Sequence, residues 1–230
     1  MSETIRLFRY FPAEAAIKTI ETHNLRVGRP REFNDPFEWK LGIDRFKELS
    51  LTENAEEICR NEDCLDFMCE NYGVICFSSV CDDPILWSHY ANSHYGIAIE
   101  VECVKGDALV EVTYETDELP RVPKHYRLNR SQYNNELKKI FTNLTKQKSP
   151  SWRYEKEWRA IVELNLCQVS EGMYFRKLSD DDITRVIIGC RSQVSPNYIR
   201  QALKANGWKT DQVVNASLSF ENYKIELSQE

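Results

Sequence analysis

The chain has 230 residues, 42% of them hydrophobic and 29% charged, with a formal net charge of −6. That length suits one large domain or two small ones, with roughly 70% of the unfolded surface buried on folding. The acidic balance argues against a general nucleic-acid binder, and no apolar run approaches the roughly 20 residues of a membrane span.

Met1 to Tyr10 carries charges within its apolar stretch and no small-residue cleavage pattern, so the expectation is a cytoplasmic protein without a signal peptide. Ile5 to Phe11 reads as a first strand, and Pro12 opens a helix to about His23. Leu25-Arg26-Val27 is a short second strand, followed by a loop through Asn34-Asp35-Pro36-Phe37-Glu38. There Asp35 suits an N-cap, Pro36 the first helical position, and Glu38 a capping box. A turn that presents Asn34 and Asp35 to a ligand is the alternative. Residues 52 to 72 read as helical, Gly73 to Val80 as a buried strand, and Asp83-Pro84 as the start of a helix through about Asn92. On that helix Leu86, Trp87 and Tyr90 share one broad face with His89 at its margin, a pattern more typical of core than of a cofactor site. Tyr95 to Val101 alternates as a strand, with Ala108 to Tyr114 as its hairpin partner.

Ser131 to Lys148 has a helical stripe of Leu137, Ile140, Phe141 and Leu144. Further strands fall near 157–166, 173–177 and 184–189. A helix near 195–206 precedes closing strands at about 210–214 and 218–227. Helices scattered among strands predict a single α+β domain with mixed or antiparallel sheets forming a cleft, rather than a doubly wound parallel fold. The last helix and closing strands occupy 191–230 of this single domain, 1–230.

The most informative stretch is Trp152-Arg153-Tyr154-Glu155-Lys156-Glu157-Trp158-Arg159 before Ala160-Ile161-Val162-Glu163-Leu164. Strand alternation carried backwards puts Trp158, Ala160, Val162 and Leu164 on one face and Glu155, Glu157 and Arg159 on the other. The two carboxylates and the guanidinium either satisfy one another or act on a bound ligand. From Arg121 to Arg159 there are eleven Lys or Arg against three Asp or Glu, a local +8 that leaves −14 elsewhere. With Tyr126, Tyr133, Trp152 and Tyr154 interleaved, this segment suits a phosphate-bearing ligand, and the competing account is a solvated helix face. Arg9 shares its strand face with Leu7, which asks for a carboxylate partner or an anion.

Eight cysteines occur, none in a C-x-x-C pair, so reduced and mostly buried thiols are expected. Cys64, Cys69, Cys81 and His89 could together bind zinc, although their spacing matches no established pattern. No metal is expected at the candidate site.

Arg9-Tyr10, Phe33 to Glu38, Cys76-Phe77-Ser78, Trp87-Ser88-His89-Tyr90-Ala91 with His94-Tyr95-Gly96-Ile97, and Tyr154 to Arg159 resemble, in that order, the bacterial domain-of-unknown-function family numbered 2971. Ile187-Ile188-Gly189 is similar to that family's late strand, and the resemblance covers a family-like core of about 5–190. More weakly, the order of motifs resembles ADP-ribosyltransferase-like domains, which bind NAD in a cleft between two sheets. That resemblance implies NAD as substrate, Glu157 at the ribose and Glu155 activating an acceptor. It implies a nucleotide grip by Arg9, Tyr10, Asn34, Asp35, Ser78, Trp87, His89, Tyr90 and Arg159. A protein or nucleic-acid acceptor would use the basic stretch 121–159, and a stress-response or phage-defence role goes with such families. The first strand lacks the histidine of those enzymes, and Cys76-Phe77-Ser78-Ser79 replaces their Ser-Thr-Ser triplet. Two rivals remain: a non-catalytic nucleotide- or nucleic-acid-binding module, and a metal-dependent phosphodiesterase if the fold gathers Asp35, Asp83 and Glu157.

Overall fold

A computed structural model describes residues 3–35, 37–38, 68–115 and 133–228. Alternating, β-rich segments become strands: β1 (Thr4–Phe11), β2 (Asn24–Val27), β3 (Tyr72–Ser78), β4 (Ile97–Val104), β5 (Leu109–Glu111) and β6 (Glu157–Glu163). They are followed by β7 (Gln168–Ser170), β8 (Met173–Lys177), β9 (Ile183–Ile188), β10 (Val213–Leu218) and β11 (Ile225–Leu227). The described helices are α1 (Ala13–Thr22), α2 (Pro84–Tyr90), α3 (Tyr133–Thr145) and α4 (Pro196–Ala205). α2 begins where the sequence indicates: Asp83 accepts the Ile85 N–H at 2.8 Å, and Pro84 occupies the first turn.

Among the described residues the strands form two sheets, an eight-stranded one in the order β11-β10-β9-β4-β1-β3-β6-β5 and a three-stranded one in the order β2-β8-β7. Every pair is antiparallel except β9 with β10, which α4 connects. The architecture is therefore α+β with one large mixed sheet and one small antiparallel sheet. Leu7, Phe11, Ile75, Phe77, Ile99, Val101, Val162 and Val186 pack against α1, α4 and Leu25 and Val27 of β2. Phe8, Ala98, Ile187, Val214 and Ala216 pack with Trp87 of α2 in a second core. The sheet has one weak rung: β1 meets β4 from Thr4↔Val104 to Phe11↔Ile97 but meets β3 only at Phe8↔Ser78. There β2 takes over, through a Gly28↔Val74 bridge.

Some expectations need correction. Ala108 to Tyr114 is not the hairpin partner of β4, because β1 and β9 already occupy both edges of β4, and β5 pairs with β6 instead. The strand expected to reach 166 stops at Glu163, where Leu164–Leu166 makes a 3₁₀ turn. The first closing strand shifts from about 210–214 to β10, and the second shortens from 218–227 to β11, with a Ser219–Lys224 turn between them. Most of the helix read at 52–72 and the basic residues from Arg121 to Arg130 lie outside the described residues, as do Pro36, Cys59 and Cys64. Cys69, Cys76, Cys81, Cys103, Cys167 and Cys190 are free thiols. Among the described residues no helix is long and apolar enough to cross a membrane.

Candidate functional site

At the weak β1–β3 rung lies a cavity of about 420 Å³. β1 supplies Arg9 and Tyr10, β2 supplies Arg26, β3 supplies Cys76 and Ser78, α2 supplies Leu86 and Tyr90, and β6 supplies Glu157 and Arg159. The loop after β2 adds Phe33, Asn34, Asp35 and Glu38, and the approach to β6 adds Lys148, Trp152 and Glu155.

The Trp152–Arg159 stretch is only partly a strand. Ser149 and Pro150 form a cap and first-turn signature, and Pro150–Glu155 coils into a 3₁₀ helix. Lys156, with φ 43°, ends it in the left-handed region and turns the chain into β6. Backward extrapolation of the strand therefore fails at Glu155, which arrives from the helix rather than from the sheet. From Glu157 onward the alternation holds. Trp158, Ala160 and Val162 pack against the main core, while Glu157 and Arg159 face the cavity.

Five charged groups meet there. Arg159, 1% exposed, clamps both Glu157 oxygens at 2.9 Å, donates to Glu38 Oε1 at 2.8 Å and to the Thr145 carbonyl at 2.7 Å, and lies over the Phe33 ring. Lys148 Nζ reaches Glu155 Oε2 at 2.6 Å, Glu157 Oε2 at 3.1 Å and Glu38 Oε1 at 3.2 Å. Tyr90 donates its hydroxyl to Glu155 Oε1. Ser78 donates to the Glu155 carbonyl at 2.7 Å, and Tyr114 Oη accepts the Glu157 N–H at 2.9 Å. The backbone on both sides of the left-handed turn is thus fixed.

These surroundings drive the two neighbouring carboxyls apart. Burial pushes Glu155 up, and Lys148 and Tyr90 only partly oppose it. Burial would raise Glu157 too, but Arg159 and Lys148 outweigh it and hold that carboxyl at about 2. Burial keeps the Cys76 thiol protonated, with Glu157 adding to the effect. Arg9 differs from the other cations. Its guanidinium donates to the Arg26 carbonyl at 2.8 Å and stacks on Phe11, and among the described residues no carboxylate pairs with it. Burial lowers its pKa to about 10, which leaves it charged at neutral pH.

Of the residues expected to form the site, Arg9, Tyr10, Asn34, Asp35, Ser78, Tyr90, Glu155, Glu157 and Arg159 do converge on the cavity. Trp87 and His89 do not line it. Trp87 is 0% exposed, donates to the Cys81 carbonyl at 2.8 Å and packs edge-on against Tyr10, so it is core. His89 sits on the outer face of α2 with Nδ1 3.2 Å from the Tyr154 hydroxyl. Asp35 accepts the Phe37 N–H at 2.8 Å, as its cap chemistry suggests. Glu38 does not complete a capping box, because its carboxylate turns to Arg159 and Lys148.

Sequence reasoning missed Glu38 because its spacing from Asp35 already had a local explanation. It missed Lys148 because a lysine beyond an amphipathic helix reads as solvated. Within the basic stretch Lys148 and Arg159 point inward to carboxylates, and Lys138 pairs with Glu163 at 2.8 Å. Asp83 caps α2 and does not line the cavity. Among the described residues no group of three or more His, Cys, Asp or Glu could hold a metal ion.

No curated protein and no solved structure matches the chain. Residues 86–160 match the model of a protein family of unknown function, DUF2971, which spans Trp87 to Gly96 on and beyond α2 and Glu155 to Arg159 at the cavity. The family recognised from the sequence motifs, DUF2971, is thereby supported over that segment.

Proposed function

We propose that the cavity binds a nucleotide and transfers ADP-ribose from NAD to an acceptor. The observation that carries this reading is a pair of neighbouring carboxyls with opposite proton affinities, Glu155 raised and Glu157 held at about 2, in a cavity that also holds a cationic Arg9 with no carboxylate partner among the described residues. The volume of about 420 Å³ falls within the roughly 300–1,000 Å³ of small-molecule sites. In the reaction the bond between ribose C1′ and the nicotinamide nitrogen breaks, and its electron pair neutralises the pyridinium. The positive charge left on the ribose is stabilised by ionised Glu157. The acceptor forms the new bond at C1′ and gives up a proton, for which Glu155 is the better base because its pKa is moved up toward working pH. Arg9 faces the pyrophosphate.

The test is labelling of cell extract, or of the protein itself, with tagged NAD. Glu157→Gln should lower the rate by roughly 10²-fold or more while nucleotide binding persists. Undiminished labelling by a folded Glu157→Gln protein rejects the assignment.

A second reading, a nucleotide-binding module without turnover, is favoured by one feature. Both Glu157 oxygens are occupied by Arg159 and Lys148, and the residue is 5% exposed. Such a module binds nucleotide with affinity that falls steeply as salt rises and shows no labelling.

A further inference from the structure

The reaction as written gives no part to the ammonium that lies between the carboxylates. Lys148 has three N–H donors and no acceptor, and three carboxylates, from Glu38, Glu155 and Glu157, surround it at 2.6 to 3.2 Å. The Trp152 ring closes another side, with Nζ 4.8 Å from its centroid. The base of the side chain is clamped as well. Lys148 N–H donates to the Thr113 carbonyl at 3.1 Å, and Thr113 N–H donates to the Lys146 carbonyl at 2.7 Å. The result is a cation fixed by its own backbone at a point where three acids converge, 9% exposed. Three carboxylates crowded into so dry a place could not all stay ionised without a counter-charge.

We infer that Lys148 is a positioning residue, a tethered cation that gathers Glu38, Glu155 and Glu157 around one ammonium and keeps Glu157 ionised among them. The inference rests on the proposed glycosyl chemistry only for why an ionised Glu157 is useful there. The other titratable groups near this ammonium are Arg159, Cys76, Tyr90, Tyr114 and Tyr154. Burial raises the pKa of the Cys76 thiol and of the three phenols, so these stay uncharged through neutral pH. Arg159 already satisfies both Glu157 oxygens, which separates its contribution from that of Lys148.

The experiment is chemical rescue of Lys148→Ala, read as the titration midpoint of Glu157 by carboxyl-carbon NMR. Alanine removes three carbons and the nitrogen, which n-propylammonium restores. The Glu157 midpoint should rise from about 2 by roughly one pH unit in the variant and return toward its original position with n-propylammonium. Tetramethylammonium, which has no N–H, should not restore it. An unchanged midpoint in the variant, or equal restoration by both ions, overturns the inference. If the variant does not fold in buffer, refolding yield in the two chlorides at equal ionic strength becomes the readout. Recovery in n-propylammonium alone supports the inference, and equal yields overturn it. NAD takes no part in these measurements, so absence of labelling by the wild-type protein would reject the transferase reading and leave this one standing.

Discussion

Arg159→Leu tests the charge network most directly. The guanidinium makes two bonds to Glu157, one to Glu38 and one to the Thr145 carbonyl, at 2.7 to 2.9 Å and 1% exposure. Removing one partner of a buried ion pair costs about 3–5 kcal/mol, because the surviving charge is left without compensation. The pH dependence gives an independent magnitude. A Glu157 carboxyl at about 2 in the folded protein, against an ordinary 4.5, corresponds to about 3 kcal/mol at neutral pH. The folded value is the lower one, so this stability is complete above about pH 4.5 and is lost as pH falls toward 2. At pH 3 less than half of it remains. Arg159→Leu removes the main cause of the depressed value and with it most of this dependence. Urea denaturation of both proteins at pH 7 and pH 3 should therefore show the gap between them narrowing by about 2 kcal/mol at the lower pH. A gap below about 1 kcal/mol at pH 7, or one that does not change with pH, would refute the reasoning.

Arg9→Leu should weaken nucleotide binding roughly tenfold or more in calorimetry, as expected for loss of one charge-assisted contact. The same change should leave the melting temperature nearly unaltered, since the described structure gives Arg9 only a carbonyl and a ring as partners. Ser78→Ala removes the donor to the Glu155 carbonyl and the acceptor of the Val80 N–H, and should cost about 1–3 kcal/mol in urea titration. Gly96→Ala would place a methyl 2.0 Å from the Phe11 carbonyl oxygen and 2.8 Å from the Ala91 backbone, so soluble yield should fall sharply even for this one-carbon change.

Where local chemistry decides the outcome, the sequence is informative. The Asp83-Pro84 start of α2, the alternation of β1, β4 and β9, and the two-faced β6 all follow from periodicity and capping. Where neighbours decide, it is not. Nothing in Ala108 to Tyr114 reveals that both edges of β4 are taken, and nothing around Lys148 reveals that the remote Glu38 joins Glu155 and Glu157 on its ammonium. The left-handed Lys156 is equally hidden, since the bonds that hold the turn come largely from elsewhere in the fold, from Ser78 to the Glu155 carbonyl, from Ser79 to the Lys156 carbonyl and from the Glu157 N–H to Tyr114. The motif order brought most of the cavity together on paper, whereas Trp87 went to the core, as its helix pattern indicates and against the resemblance, and Glu38 joined the site instead of a capping box.

The solitary Phe8↔Ser78 rung makes the large sheet two wings with a hinge line between them. Arg9 rides on the wing of β1 and β4, while Glu157, Arg159 and their lysine belong to the wing of β3 and β6. A ligand that touches both Arg9 and Glu157 therefore staples the wings together. Its arrival is to be sought in slowed amide exchange along this line as much as in chemistry.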